Sequence, residues 1–187
     1  MYKICRTEQS SRRQRELEQG LLELMGKRRF EDITVSDLCE HMQIPRKSFY
    51  RYFSGKDGAL YALIDHTLAG FFEMPQPERE AKQGSAVGDL DLYFLYWYHQ
   101  KPLLDALHRN ALSGILVERA NDFAMHEGHF PRYMKSWDEQ KKSFALSFSL
   151  CGLMSMVFQW HRQNYPVPPQ EMAKLATSLL TQPLIQI

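Results

Sequence analysis

Pro45-Arg46-Lys47-Ser48-Phe49-Tyr50-Arg51-Tyr52-Phe53 is the stretch whose reading decides the fold. Pro45 suits the first turn of a helix, where its missing N–H is no loss. Phe49 and Phe53 stand one turn apart and read as the buried side, leaving Arg46, Lys47, Ser48, Tyr50 and Arg51 for the other faces. Just upstream, Thr34-Val35-Ser36-Asp37 has the form of an N-cap followed three residues later by a carboxylate, and Leu38, Cys39 and Met42 supply an apolar face. Gln43-Ile44 makes the turn between them. Two short helices joined tightly, the second carrying basic side chains, form a helix-turn-helix. Between residues 45 and 56 there are four cations, Arg46, Lys47, Arg51 and Lys56, and no acid. That is a pattern suited to phosphate, although a merely solvated helix face looks the same on charge alone.

Outward from this motif almost everything reads as helix. Leu17, Leu21 and Leu24 recur at helical spacing behind Ser10 or Ser11 as N-cap, with Gly26 near the end. Gly20, which costs ~1 kcal/mol relative to Ala in a helix, marks a close helix contact. Ser54-Gly55-Lys56-Asp57 is a second capping signature, opening a long helix whose buried face is Leu60, Leu63, Ile64, Thr67 and Phe71. Residues 74–88 read as a linker. Helices are then expected over 89–100, 102–109, 112 to about 125, 138 to about 164, and again until Pro183, with a break at 126–134. There is no convincing strand and no internal repeat, so the expected fold class is all-α.

Composition limits the function classes. The chain has 187 residues, 44% hydrophobic and 24% charged, which is globular composition. The net charge of +1 hides an asymmetry, because residues 1–60 hold 12 Lys+Arg against 9 Asp+Glu and the remainder 11 against 13. The basic end is the one suited to a polyanion. Three scattered cysteines, Cys5, Cys39 and Cys151, point to a reducing compartment, and no signal peptide fits the N-terminus, so a cytoplasmic location is expected. From Ser143 to His161 no side chain is formally charged, close to the ~20 residues a bilayer requires. Ser143, Ser147, Ser149, Ser155, Gln159 and His161 punctuate that run, so it reads as a buried or interface helix and not as a membrane span.

Phe30-Glu31-Asp32-Ile33-Thr34-Val35-Ser36-Asp37-Leu38, followed by Ile44 to Phe53 and then Ser54-Gly55-Lys56-Asp57, resembles the N-terminal domain of the tetracycline-repressor (TetR) family of transcriptional regulators. The resemblance covers about residues 8–64, and its most specific part is Phe49-Tyr50-Arg51-Tyr52-Phe53 with Lys56-Asp57. It implies a helix-turn-helix DNA-binding domain over 8–56 and a helical regulatory and dimerisation domain over 57–187. By position it implies that Arg46, Lys47 and Ser48 face the major groove and that Tyr50, Arg51 and Tyr52 reach phosphates or neighbouring bases. Lys56 and Thr34 would hold backbone phosphate at the starts of their helices. The family commonly has Ala-Gly in the turn where this chain has Met42-Gln43, so the resemblance implies either a left-handed Gln43, at a cost of ~1–2 kcal/mol, or a slightly different turn.

Function follows as expectation: a ligand-responsive, homodimeric regulator of transcription, a repressor on a palindromic operator. An activator, or an adaptor whose C-terminal domain meets a protein, is the alternative; a helical ligand-binding protein or enzyme that no longer reads DNA is a third. The uncharged helix, with Leu146, Leu150, Leu153, Met154 and Val157 beside Ala145, Ser149 and Gly152, reads as a dimer interface or a core helix. Five aromatics lie between Tyr93 and Tyr98, and Phe94, Trp97, Phe123, Trp137 and Phe148 are the candidates to line a pocket for a small apolar or aromatic effector. His126 and His129 lack a metal pattern, no cofactor fingerprint is present, and an enzyme is not expected.

Overall fold

A computed structural model describes residues 1–74, 86–127 and 136–181. Among these residues every regular element is a helix, beside one isolated antiparallel bridge between Tyr2 and Phe53. The helices are α1 (Glu8–Met25), α2 (Val35–His41), α3 (Arg46–Tyr50), α4 (Lys56–Glu73), α5 (Ala86–His99), α6 (Lys101–Arg109), α7 (Ser113–Glu127), α8 (Glu139–Arg162) and α9 (Pro169–Thr181), with a 3-10 turn at Phe30–Asp32. Helix α5 thus starts three residues before the expected position. Most of the linker, most of the 126–134 break and the Pro183 stop lie outside the described residues.

The chain divides into two compact units. The first holds residues 1–69 and 102–127. Its core is built from Leu17, Leu21 and Met25 of α1, Leu38 of α2, Phe49 and Phe53, and Leu60 and Ile64 of α4, all at most 2% exposed. Leu103, Leu104, Leu107 and Leu116 of α6 and α7 are buried in the same unit. The α6 end is tied there by Asn110 Oδ1, which accepts the Phe30 N–H, and by Arg109, whose guanidinium donates to the Gly26 carbonyl. The cap of α1 is Thr7 and not Ser10 or Ser11: Thr7 Oγ1 accepts the Ser10 N–H at 3.3 Å, making Ser10 the third helical residue of a capping box. Gly20 is where a close approach is needed, since a Cβ there would overlap the Met42 thioether.

The second unit holds residues 70–101 and 128–187, of which α5, α8, α9 and the last turn of α4 are described. Leu90, Tyr93, Phe94 and Trp97 of α5 pack with Leu146, Met154, Val157 and Trp160 of α8 and Met172, Ala173 and Ala176 of α9 to form its core. Phe94 meets Trp160 edge-to-face at 5.9 Å, and the Tyr93 hydroxyl donates to Met154 Sδ at 2.9 Å. Burial pushes the Tyr93 phenol far above its ordinary value. Helix α8 is long and apolar enough to cross a membrane by length and composition alone. Its Leu146, Met154 and Val157 face the core of their own unit. The outward side carries Phe144 and Phe148, 69% and 78% exposed, then Gly152 and Ser155 at helical spacing. Of the residues named for a dimer interface, Leu146, Met154 and Val157 are therefore spent on the core of their own unit, while Leu150 and Leu153 are half-buried and Gly152 is exposed.

Candidate nucleic-acid interface

The entry to α2 is built as expected. Thr34 Oγ1 accepts the Asp37 N–H at 3.1 Å, and Asp37 Oδ2 accepts the Thr34 N–H at 2.7 Å. The Thr34 hydroxyl also donates to Asp37 Oδ2, and Arg28 stands 3.0 Å from the other carboxylate oxygen. These bonds, the Thr34 hydroxyl first, hold the Asp37 carboxyl at about 2, below its ordinary 3.8. A depressed carboxylate stabilises the fold above its unfolded pKa and loses that contribution as pH falls through the folded one. Asp37→Asn is therefore expected to lower the melting temperature at pH 7 and at pH 5, with the gap to wild type closing between about pH 4 and pH 2. Thermal melts across that range check this; a gap independent of pH would sink it.

Of the two forms expected for the turn, the strained one is found: Gln43 has φ 52°, the left-handed region. Pro45, with φ −64° and ψ 142°, is the N-cap of α3 and not its first helical residue, so α3 spans only Arg46–Tyr50. Phe49 is fully buried and anchors it, its ring centroid 5.2 Å from that of Phe53 with the planes tilted by 42°. Arg46, Lys47, Tyr50 and Arg51 are exposed, and Ser48 is half-buried. The Arg46 guanidinium lies along Tyr50, donating to its hydroxyl at 3.4 Å with Cζ 6.0 Å from the ring centroid. Three cations thus stand in water within one short segment, around a helix with no acid.

The remaining predicted contacts divide. The Tyr52 ring is buried, 8% exposed, and forms part of the wall of a groove of about 590 Å³ with Thr7, Ser10, Arg12, Arg13 and Arg51. Glu16 sits 3.7 Å from Arg12 and 2.7 Å from Arg13. Thr34 is exposed at the N-terminus of α2, with its hydroxyl committed to the capping box. Lys56 is committed further. Its ammonium donates to the carbonyls of Phe30, Glu31 and Ile33 at 2.7, 2.9 and 2.8 Å and lies 4.7 Å from the Phe30 ring centroid. An ammonium has three N–H groups, so a phosphate on Lys56 requires one of these bonds to be given up. Ser54, read as a helix cap, instead donates its hydroxyl to the Met1 carbonyl at 2.8 Å.

The five aromatics named for an effector pocket are placed differently from one another. Phe94 and Trp97 are packed in the core of the second unit, at 0% and 2% exposure. Trp137 is 38% and Phe148 78% exposed, while Phe123 belongs to the first unit. Sequence reasoning missed a polar cluster in the first unit, Tyr2, Gln14, Glu18, Asp65, His66 and Arg119. Tyr2 precedes the first helix, Gln14 and Glu18 stand among other polar residues of α1, and Asp65, His66 and Arg119 are far from them in sequence, so no local spacing marks the cluster.

Residues 92–182 match the model of a family described as a transcriptional regulator C-terminal region, TetR_C_8. No curated protein matches the chain in sequence. Among solved structures, the fatty acid degradation regulator FadR from Bacillus halodurans is similar at 12% identity and TM-score 0.58, over 97% of this chain and 98% of that one. The TetR family repressor AlkX from Dietzia sp., implicated in biodegradation of n-alkanes, is similar at 19% identity and TM-score 0.56, over 90% and 93%. The dihydroxyacetone kinase operon activator DhaS is similar at 14% identity and TM-score 0.56, again over 90% and 93%. At such identities the likeness is one of fold.

Proposed function

Because this chain belongs to the TetR family of transcriptional regulators, we propose that it represses transcription by binding a palindromic operator as a homodimer. The observation that carries the reading is the exposed trio Arg46, Lys47 and Arg51, two on a five-residue helix pinned by buried Phe49 and the third at its C-cap. Guanidinium forks on guanine supply sequence preference, and lysine ammonium on phosphate supplies affinity. One such head covers too little DNA for tight binding. Two, set about one helical turn or ~34–36 Å apart by a two-fold axis, read inverted half-sites.

The outward apolar side of α8, Phe144 and Phe148, together with exposed Leu175 and Leu180 of α9, supports the dimer. We assign DNA reading to residues 8–56 and regulation and dimerisation to 57–187, in the cytoplasm. A small apolar or aromatic effector entering beside Phe94 and Trp97 must displace packed rings. That favours, as a second reading, an adaptor or activator whose C-terminal region meets a protein.

Selection of bound duplexes from a random pool, with the mass of the complex, tests the primary reading. The expected result is an inverted repeat bound by two chains, with a log–log salt slope near −7 if each chain neutralises about four phosphates. Salt-insensitive binding, or a chain that stays monomeric on DNA, overturns it.

A further inference from the structure

Residues 1–7 carry no helix, yet they are laid down on the first unit by a series of directed bonds. The Lys3 N–H donates to the Tyr52 carbonyl at 2.9 Å, and the Ser54 N–H donates to the Met1 carbonyl at 3.1 Å. Between these, Tyr2 pairs with Phe53 in the antiparallel bridge. Gln14 of α1, 1% exposed, donates its amide to the Lys3 carbonyl at 3.1 Å and accepts from Cys5 Sγ at 3.0 Å. The segment therefore lies along residues 52–54, directly after exposed Arg51 at the end of the recognition helix. Its side chains include two cations, Lys3 and Arg6, both exposed, and no acid.

The anchor of this arm is Tyr2. Its hydroxyl donates to Asp65 Oδ2 of α4 at 2.6 Å. Asp65, 8% exposed, is held from the other side by the Arg119 guanidinium of α7, whose Nε donates to Oδ1 at 2.6 Å and whose Nη2 donates to Oδ2. The Arg119 guanidinium also lies 5.3 Å from the Tyr61 ring centroid. The Tyr2 ring rests edge-on against His66, 5.9 Å away, and His66 Nδ1 sits 2.9 Å from the buried Glu18 carboxylate of α1. A buried carboxylate is kept in place by a two-pronged guanidinium far better than by a single donor. Asp65 thus offers Tyr2 an acceptor of fixed position.

We propose that Asp65 and Arg119 are positioning residues for DNA binding: through Tyr2 they hold the N-terminal arm beside the recognition helix, where Lys3 and Arg6 contact the phosphate backbone flanking the major groove. The inference rests on the DNA-binding reading above. An arm already ordered in the free protein spends none of its contact energy on ordering when DNA arrives. Arg119, on a helix that never approaches the recognition surface in sequence, thereby sets how many phosphates the protein touches.

The test uses the full chain and the duplex enriched by selection. Tyr2→Phe removes one hydroxyl. Gly58→Ala places a methyl group where the Met1 carbonyl lies, in the first turn of α4, where alanine is a better helix former than glycine. Both are expected to speed amide exchange over residues 2–7, to weaken DNA binding about tenfold, and to make the salt slope shallower by up to ~2 for each chain. Lys3→Ala with Arg6→Ala should weaken binding similarly with the arm still protected, and adding Tyr2→Phe to it should cost nothing more. A merely structural Tyr2 would lower the melting temperature and leave the salt slope alone. The proposal is overturned if the arm exchanges fast in Tyr2→Phe or Gly58→Ala yet both bind like wild type, or if neither loosens the arm. If the wild-type chain binds no duplex, the DNA-binding reading itself falls, and arm exchange still reports whether Tyr2 is the anchor.

Discussion

The double substitution Arg46→Ala with Lys47→Ala is expected to weaken DNA binding about a thousandfold while leaving the fold untouched. Each chain loses one guanidinium fork and one ammonium; at ~1 kcal/mol apiece, the lower end for such contacts, two chains lose ~4 kcal/mol, or about three decades. Stability is expected to change little, because both side chains are exposed and the one described partner of Arg46 is the Tyr50 hydroxyl at 3.4 Å. Circular dichroism and a titration of the selected duplex check the two halves together. Retained affinity would remove α3 as the reading element, and lost helicity would show that the variant had not tested it.

Lys56→Met is expected to act in the opposite way, costing stability rather than specific contacts. Three charge-assisted hydrogen bonds vanish at once, and the Phe30, Glu31 and Ile33 carbonyls lose their common donor. Hydrogen bonds to charged groups are worth about 1.5–3 kcal/mol each, but they share one ammonium and the carbonyls are partly wet, so a loss of ~2–4 kcal/mol is reasonable. For a chain of this length that is a fall of roughly 5–15 °C in melting temperature. Measured well below that temperature, the salt slope of DNA binding should stay as it is. A phosphate ligand lost from each chain would instead make it shallower by ~0.9 per chain with the melting temperature unchanged, and that result would return Lys56 to the DNA.

The two substitutions expose a general asymmetry in what a sequence reveals. Arg46 and Lys56 look alike in the chain: each is a cation at the start of a helix in a basic segment. In the fold, Arg46 reaches one neighbouring side chain and solvent. Lys56 meets three carbonyls whose convergence depends on the 3-10 turn at Phe30–Asp32 lying beside the α4 N-terminus. Nothing in the spacing of residues 30 to 33 announces those carbonyls as acceptors. The aromatic candidates behave in the same way, since Phe94 and Phe148 are equally apolar in sequence and stand at 0% and 78% exposure.

By itself the sequence determined the all-helical fold, the resemblance to the TetR family, the capping box of Thr34 and Asp37 and the buried Phe49–Phe53 pair. Each of these is fixed by interactions spanning at most a few residues, or by a motif within one short stretch, so residue identities and offsets suffice. Tertiary structure alone decided that α6 and α7 pack with α1–α4, which face of α8 points outward, where the Lys56 ammonium is spent, and that Tyr2, Asp65 and Arg119 meet. Those outcomes depend on which distant segments share a core, and a polar side chain carries no mark of the partner that folding brings to it.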